Sequence, residues 1–325
     1  MLVERDPEPR DRPGEALHPG IEPLLETLGA SDALRASTLT RYRGHWLGEG
    51  NSRRRFLSFG GDDQGPWLGF QAERRRLDAA LREAAERSGA VVRTGIAVAD
   101  ILRDSTGRVT GVLTSTGEAL RARIVIDAAG GRHWIARKLG VGVRRLSPRY
   151  VATFGYVRLR PGQTEPGLVE DPDFSQDGGG WTWIAPLGNG RWHWTRMSFD
   201  GSRMPAGWVP PPLARLIPCG PSRGADVTWR LVRSAAGPGW MAVGDAAGVL
   251  DPAASHGVLR ALYSGAMAGK AAAEASARLV GEGEPLQAYD DWFRAGLIRD
   301  AGQLRTAYEA LETTSEAAFI RLPVR

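Results

Sequence analysis

The spacing of apolar positions changes along this chain, and the changes divide it into segments. Residues 1–3 read as the end of a strand, followed at once by Glu4 and a polar, Pro-rich loop to Gly14. Apolar residues at 21, 24, 25 and 28, with Gly29 behind them, predict a short amphipathic helix; those at 77, 80, 81, 84 and 85, ending before Gly89, predict a second. Residues 95–117 alternate around Asp104-Ser105-Thr106-Gly107, the pattern of a hairpin. The near-continuous apolar run at 122–129 suits a central strand buried on both faces, and a helix over 134–139 follows it, stopped by Gly140.

From 151 to 240 the period drops to two and the aromatics share it. Trp181 and Trp183 fall on one face of a strand, Asn189-Gly190 is a hairpin turn, and Trp192 and Trp194 return at strand spacing. Residues 204–212 are Pro-rich and predict a loop, and residues 286–322 carry helical spacing, with apolar positions at 293, 297, 304, 308 and 311. Between these lies the most informative stretch, residues 240–257. A short apolar run stops at Gly244-Asp245, small residues follow, and Asp251-Pro252 and Ser255-His256-Gly257 lead into an Ala-rich helical pattern. Small side chains let backbone approach a bulky ligand, Asp245 accepts hydrogen bonds from ligand hydroxyls, and a helix start favours negative charge. A plain strand, turn and Asp-capped helix has the same spacing.

Composition narrows the class. At 325 residues, 42% hydrophobic and 24% charged, the chain is that of an ordinary globular protein with room for one or two intertwined domains. Cys219 is the single cysteine, so an intramolecular disulfide is excluded and a reducing, cytoplasmic setting is expected. The net charge of +5 is carried almost wholly by arginine, lysine standing only at 138 and 270. The Arg53–Arg55 and Arg74–Arg76 runs are short and no nucleic-acid or zinc spacing accompanies them, so neither nucleic acid nor a metal is expected. No apolar run approaches the roughly 20 residues of a bilayer span, and no stable membrane insertion is expected.

Several stretches in collinear order resemble the superfamily of FAD-dependent monooxygenases and flavin-dependent halogenases, with its para-hydroxybenzoate hydroxylase-type fold. Arg12-Pro13-Gly14-Glu15-Ala16-Leu17-His18-Pro19 resembles the RxGExLxP loop, Arg74 to Asp78 the RxxLD helix start, Ile126 to Gly130 the strand end that passes the adenosine, and residues 244–257 the second flavin motif. The wording GExLHPGIEPLL at 14–25 and SHGVLRALxSG at 255–265 is similar to monooxygenase-like flavoproteins of quinone-cofactor maturation.

The resemblance implies an α/β fold: a three-layer, Rossmann-like FAD-binding domain (1–38, 74–150, 236–280), an inserted antiparallel substrate-domain sheet (39–73, 151–235) and a helical C-terminus (281–325). It implies FAD as cofactor. Glu4 is expected on the ribose, Arg12 and Arg74 on the phosphates, and Gly14 and Glu15 beside the ring. Ala128 and Gly130 are expected along the adenosine, Gly244 and Asp245 along the pyrophosphate and ribityl, and Pro252 and Gly257 flanking the ring. All five histidines (His18, His45, His133, His193 and His256) are acid–base candidates, with His18 and His256 ranked first for their motif positions, and Trp181 and Trp183 are expected to line the pocket. The sequence holds no G-x-G-x-x-G, so the expectation is of a fold N-terminally truncated by a strand, turn and helix, or of a start assigned too late.

Trp181 to Pro186 resembles the WxWxIP motif of the halogenases, with Ala185 in place of isoleucine. Halogenases also need a lysine between the GE loop and the third helix, and residues 19–73 contain none. Arginine stays protonated and is a poor nucleophile, so halogenation is disfavoured. The expected activity is therefore monooxygenation of an aromatic or apolar substrate through a flavin C4a-hydroperoxide, with a Trp or Tyr side chain of a partner protein as an implied substrate. Electrons are expected from a separate flavin reductase or from transiently docked NAD(P)H. The alternatives are a flavin reductase of the geranylgeranyl-reductase type and a non-catalytic remnant.

Overall fold

The computed structural model describes residues 1–9, 13–49, 54–163, 171–277 and 283–313. Two parallel strand pairs carry the α/β part. Leu2–Glu4 runs beside Val92–Thr94, and Val125–Asp127 beside Trp240–Ala242. Helices α1 (Ile21–Thr27), α2 (Ser31–Ser37) and α3 (Arg74–Arg87) share a small core of Leu17, Ile21, Leu25, Leu34, Phe70 and Leu77. The hairpin is present as Val98–Arg103 against Val109–Thr114, joined by a third strand, Ala119–Arg121. Helix α4 (Trp134–Lys138) starts on Asp127, whose carboxylate accepts from the N–H groups of Ala129 and Ile135, both at 2.8 Å.

One expectation is corrected. The apolar run at 122–129 yields only the three-residue strand Val125–Asp127, and Ile126 is 40% exposed rather than buried on both faces. The physical reason is pairing: among the described residues this strand is hydrogen-bonded on one side only, to Trp240–Ala242.

An eight-stranded sheet forms the second layer, with Val151–Arg158, Arg191–Ser198, Gly180–Gly188 and Asp173–Asp177 as antiparallel neighbours. Gly44–Glu49 then adds parallel to Asp173–Asp177. Asn189 (φ 52°) and Gly190 (φ 66°) take the left-handed conformations that a two-residue hairpin turn demands. Strand alternation sorts the tryptophans. Trp192 and Trp194 join Val157, Ile184, Leu213 and Leu216 in a core on the outer face, whereas Trp181, Phe174 and Met197 enter the main core on the inner face.

That main core is closed by α5 (Gly257–Ala277) and α6 (Gly283–Thr313). Phe293, Leu297, Leu304 and Tyr308 of α6 are buried, as their spacing predicts; residue 311 lies outside the described side chains. The Tyr289 hydroxyl donates to the Ala242 carbonyl at 2.8 Å, tying α6 to the parallel strand that precedes the Gly244 turn.

Asp251 joins the layers. It is 5% exposed, and its carboxylate accepts from Trp229 Nε1 (2.6 Å), the Tyr308 hydroxyl (2.8 Å) and the Ala253 N–H (2.9 Å). The Tyr308 oxygen in turn accepts from Trp181 Nε1 at 2.9 Å. Burial pushes the Asp251 carboxyl above its usual range, and the three donors oppose that push. Asp251→Ala would leave three donors without an acceptor, each costing roughly 1–3 kcal/mol, offset in part by release of a desolvated carboxyl. The expected net loss in urea unfolding is about 3 kcal/mol. Asp251→Asn, which keeps one carbonyl acceptor, is expected to lose distinctly less; equal losses would show that the acceptor oxygens do not matter.

Candidate active site

The strand Trp240–Ala242 ends in a turn at Gly244, where φ is +52°. The Gly244 N–H donates to Ser264 Oγ of α5 at 2.9 Å, and a Cβ here would stand 3.2 Å from that of Ala261. Glycine is required twice over, by the left-handed backbone and by the closeness of α5. The turn leaves Asp245 exposed. The chain then passes through Gly248–Val249 to Asp251, which caps the single turn Pro252–Ala254. Ser255 is itself left-handed (φ 51°), and its conformation delivers His256 to the start of α5. The residue that caps the turn in this motif is therefore Asp251.

The loop that ends at Leu17 meets this segment from the other side. Gly14 (φ 110°) lies so close to Arg74 that a Cβ would be 2.5 Å from its guanidinium, with Val258 of α5 at 3.7 Å. Arg74 donates to the Pro13 carbonyl at 3.2 Å and pairs with Asp78 at 3.2 Å; its buried Nε has no partner. His18 sits edge-on to His256, ring centroids 5.3 Å apart, and accepts the Gly20 N–H on Nδ1 at 3.0 Å. Being neutral, His18 must carry its proton on Nε2, a buried atom without a partner.

The ring contacts continue from His18 to Phe59 (5.7 Å), Phe59 to His45 (6.4 Å) and His45 to Trp183 of the sheet (5.8 Å). Burial lowers the affinity of all three imidazoles for a proton. His45 and His256 are pushed down to about 4, His256 also by His18 and Arg260, and His18 shifts in the same direction. The three imidazoles of this ring cluster are thus disfavoured as cations. Beyond it Glu15, 6% exposed, turns its carboxylate inward. One oxygen accepts a short hydrogen bond from the Tyr156 hydroxyl, the other accepts the Gly14 N–H at 3.0 Å and lies 3.9 Å from His193 Nδ1.

The other expected site residues scatter. Glu4 ends its strand exposed and accepts the Asp6 N–H at 3.0 Å; Ala128 is exposed, and Gly130 is left-handed at φ 83°. Pro252 and Gly257 are exposed beside His256, and a Cβ at Gly257 would meet no atom within 4 Å. Trp183 is half-buried against His45, whereas Trp181 is 1% exposed and bonded to Tyr308, so it packs the core. Arg12 lies outside the described residues. Sequence reasoning missed Tyr156 and Phe59, which reach the site from a strand and a loop, and ranked His45 below His18 and His256. It also missed Gln71, 1% exposed with neither amide atom bonded. No motif spacing marks them; only strand parity placed Tyr156 and His193 on one face.

Comparison with known proteins defines the class of this fold. The tryptophan halogenase family model matches residues 62–193. A menaquinone reductase of Mycolicibacterium smegmatis is 30% identical over 299 residues, covering 82% of this chain and 69% of that protein. Among solved structures, the flavin-dependent brominase Bmp2 superposes with a TM-score of 0.80 at 21% identity, covering 94% of this chain and 80% of that one. PqsL of Pseudomonas aeruginosa, described as a probable FAD-dependent monooxygenase, superposes at 0.78 and 15% identity, covering 96% and 89%. The chain belongs to the flavoprotein superfamily of flavin-dependent halogenases, FAD-dependent monooxygenases and menaquinone reductase. It is an oxidoreductase of that superfamily, whose cofactor is FAD, and no described helix is long and apolar enough to cross a membrane.

The depressed imidazoles carry a pH signature. The folded state holds His45 and His256 neutral down to about 4, whereas the unfolded chain protonates them near 6.5. Their contribution to stability is complete above pH 6.5 and is lost as pH falls from 6.5 towards 4. Urea midpoints across that window are expected to fall more steeply for the native chain than for a His45→Gln/His256→Gln variant. Parallel slopes would show that burial does not hold these rings neutral.

Proposed function

We propose that this chain is an FAD-dependent monooxygenase acting on an aromatic or similarly apolar substrate, a Trp or Tyr side chain of a partner protein being one form of it. The observation that carries the reading is the continuous run of ring contacts from His256 through His18, Phe59 and His45 to Trp183, which joins the start of α5 to the large sheet. A planar apolar molecule packed against these rings would be stabilised by dispersion and ring contacts and would be partly shielded from water.

The chain's residues fit a flavin beside these rings. Gly257 leaves room for close approach, the first turn of α5 offers N–H groups, and the exposed Asp245 is available for hydroxyl or ribityl contacts. Glu4 and Gly130 stand at strand ends suited to the adenosine half, and Arg74 is held by Asp78 beside Gly14. Bound FAD supplies the activation of dioxygen. The protein's share is to orient the ring, exclude water and hold protons: His18 presents a fixed Nε2–H, and His256 stays neutral beside it.

Halogenation fits poorly. Lys138 pairs with Asp100 at 3.3 Å on other elements, and Lys270, more than three turns along α5 from its start, pairs with Glu274 at 4.0 Å, so neither lysine stands at the His256 end of the helix. A second reading, flavin-dependent reduction of a quinone or its isoprenoid chain, draws support from the 30% identity to a menaquinone reductase. The electron donor, a partner flavin reductase or NAD(P)H, belongs to the proposal in either case.

The test is reconstitution. The purified chain is expected to turn yellow with FAD and, given reduced flavin and labelled dioxygen, to place one labelled oxygen in a tyrosine- or tryptophan-containing peptide or in a small phenol. Oxygen-independent consumption of a menaquinone analogue would replace this reading with the reductase one. Colourless protein after incubation with FAD would remove both.

A further inference from the structure

His133 is one of three non-glycine residues with a left-handed backbone among the described residues (φ 52°), and it stands where the strand Val125–Asp127 leads into α4. That conformation costs free energy in any residue with a Cβ, although histidine tolerates it better than most. The ring is 1% exposed, and its Nδ1 lies 2.9 Å from the carbonyl oxygen of Ala246, 113 residues along the chain. A carbonyl only accepts, so Nδ1 carries the proton and donates it. Burial lowers the affinity of this imidazole for a second proton, which leaves Nε2 a buried acceptor without a partner. A left-handed backbone and a bare buried nitrogen are both costs, and their coincidence at one residue points to an arrangement that is needed.

What the bond secures is the turn Gly244–Ala246. Gly244 and Ala246 are buried, and Asp245 between them is exposed. The entry to the turn is held twice, by the Gly244 N–H on Ser264 Oγ at 2.9 Å and by the Val243 N–H on the Asp127 carbonyl at 3.0 Å. Its exit is held by His133. Within it the Ala246 N–H donates to the Val243 carbonyl at 3.0 Å and the Ala247 N–H to the Gly244 carbonyl at 3.1 Å. We propose that His133 is a positioning residue for the cofactor: its ring locks the exit of this turn, so that Asp245 is presented to the pyrophosphate and ribityl part of FAD. His133 touches the turn, not the cofactor or the substrate, and no proton is transferred. The inference rests on the reading that this turn faces FAD, whereas the lock itself is complete without the cofactor.

Amide hydrogen exchange of the FAD-free chain reads the lock, and quenching of flavin fluorescence reads FAD affinity. His133→Gly removes the ring at a position whose backbone suits glycine. His133→Asn keeps a residue that tolerates the left-handed region and places a side-chain N–H close to the position of Nδ1. In His133→Gly the Ala246 and Ala247 amides are expected to exchange about tenfold faster than in the native chain, the worth of one hydrogen bond, while those of the large sheet keep their native rates. FAD affinity is expected to fall about tenfold with them. His133→Asn is expected to restore both. Unchanged exchange in His133→Gly would overturn the lock, and faster exchange throughout the chain would replace it with a general packing role. Faster exchange at the turn with native FAD affinity would overturn the positioning of Asp245. The expected exchange pattern in a native chain that takes up no FAD would support the lock while removing the flavin site from this turn. If His133→Gly does not fold, the imidazole nitrogen chemical shifts of native His133 decide: a proton on Nδ1 supports the lock, and a proton on Nε2 overturns it.

Discussion

A single buried carboxylate, Asp251, is the constraint on which the arrangement of this molecule turns. It gathers an indole from the strand-flanking residue Trp229, a phenol from Tyr308 near the end of α6, and the backbone of the turn that precedes His256. Through Tyr308 it also holds Trp181 of the large sheet. Four elements distant in sequence are thereby brought to one acceptor, in surroundings where an unpaired donor is costly. Directional bonds are what the apolar core lacks: Met241, Phe293 and Leu297 exclude water but tolerate sliding, whereas Asp251 sets the sheet, α6 and the turn before α5 in one register.

The site inherits this rigidity. Asp251 sits immediately before Pro252, and the left-handed Ser255 follows, so the direction in which His256 points is decided by a capped turn and one strained residue. On the opposite wall Gly14, Glu15 and His18 are held by Arg74 and by pairing of Ala16–Leu17 with the strand Gly69–Ala72. Between these two segments burial keeps the His45 and His256 rings uncharged near neutral pH, while the buried Glu15 carboxyl group is tied to Tyr156 and to the Gly14 N–H.

Much of this was legible in the sequence, for identifiable reasons. Helices at 21–27, 74–87 and 257–277, the hairpin at 98–114 and the Asn189-Gly190 turn all follow from local rules of period, capping and positive φ. The superfamily was legible because glycine and aspartate at 244–257 answer a close-packing demand that few residues meet. Partial failures also had physical causes. The run at 122–129 has the composition of a buried strand, but burial depends on neighbours, and its pairing in the described residues is one-sided. Trp181 and Trp183 share strand parity, yet one packs in the core and the other meets the His45 ring, a difference decided by α6 lying over the first.

The sequence by itself determined the local chemistry: where backbone must turn left-handed, which faces are apolar, that lysine is absent between the GE loop and α3, and that a flavin-type strand-turn-helix is present. Those properties depend on residues within a few positions of one another. Tertiary structure alone decided that Glu15 meets Tyr156, 141 residues away, and that Tyr308 meets Asp251 across 57. It also decided that His18, His45 and His256 are neutral, because the free energy of an imidazolium depends on how much water its folded neighbours leave around it.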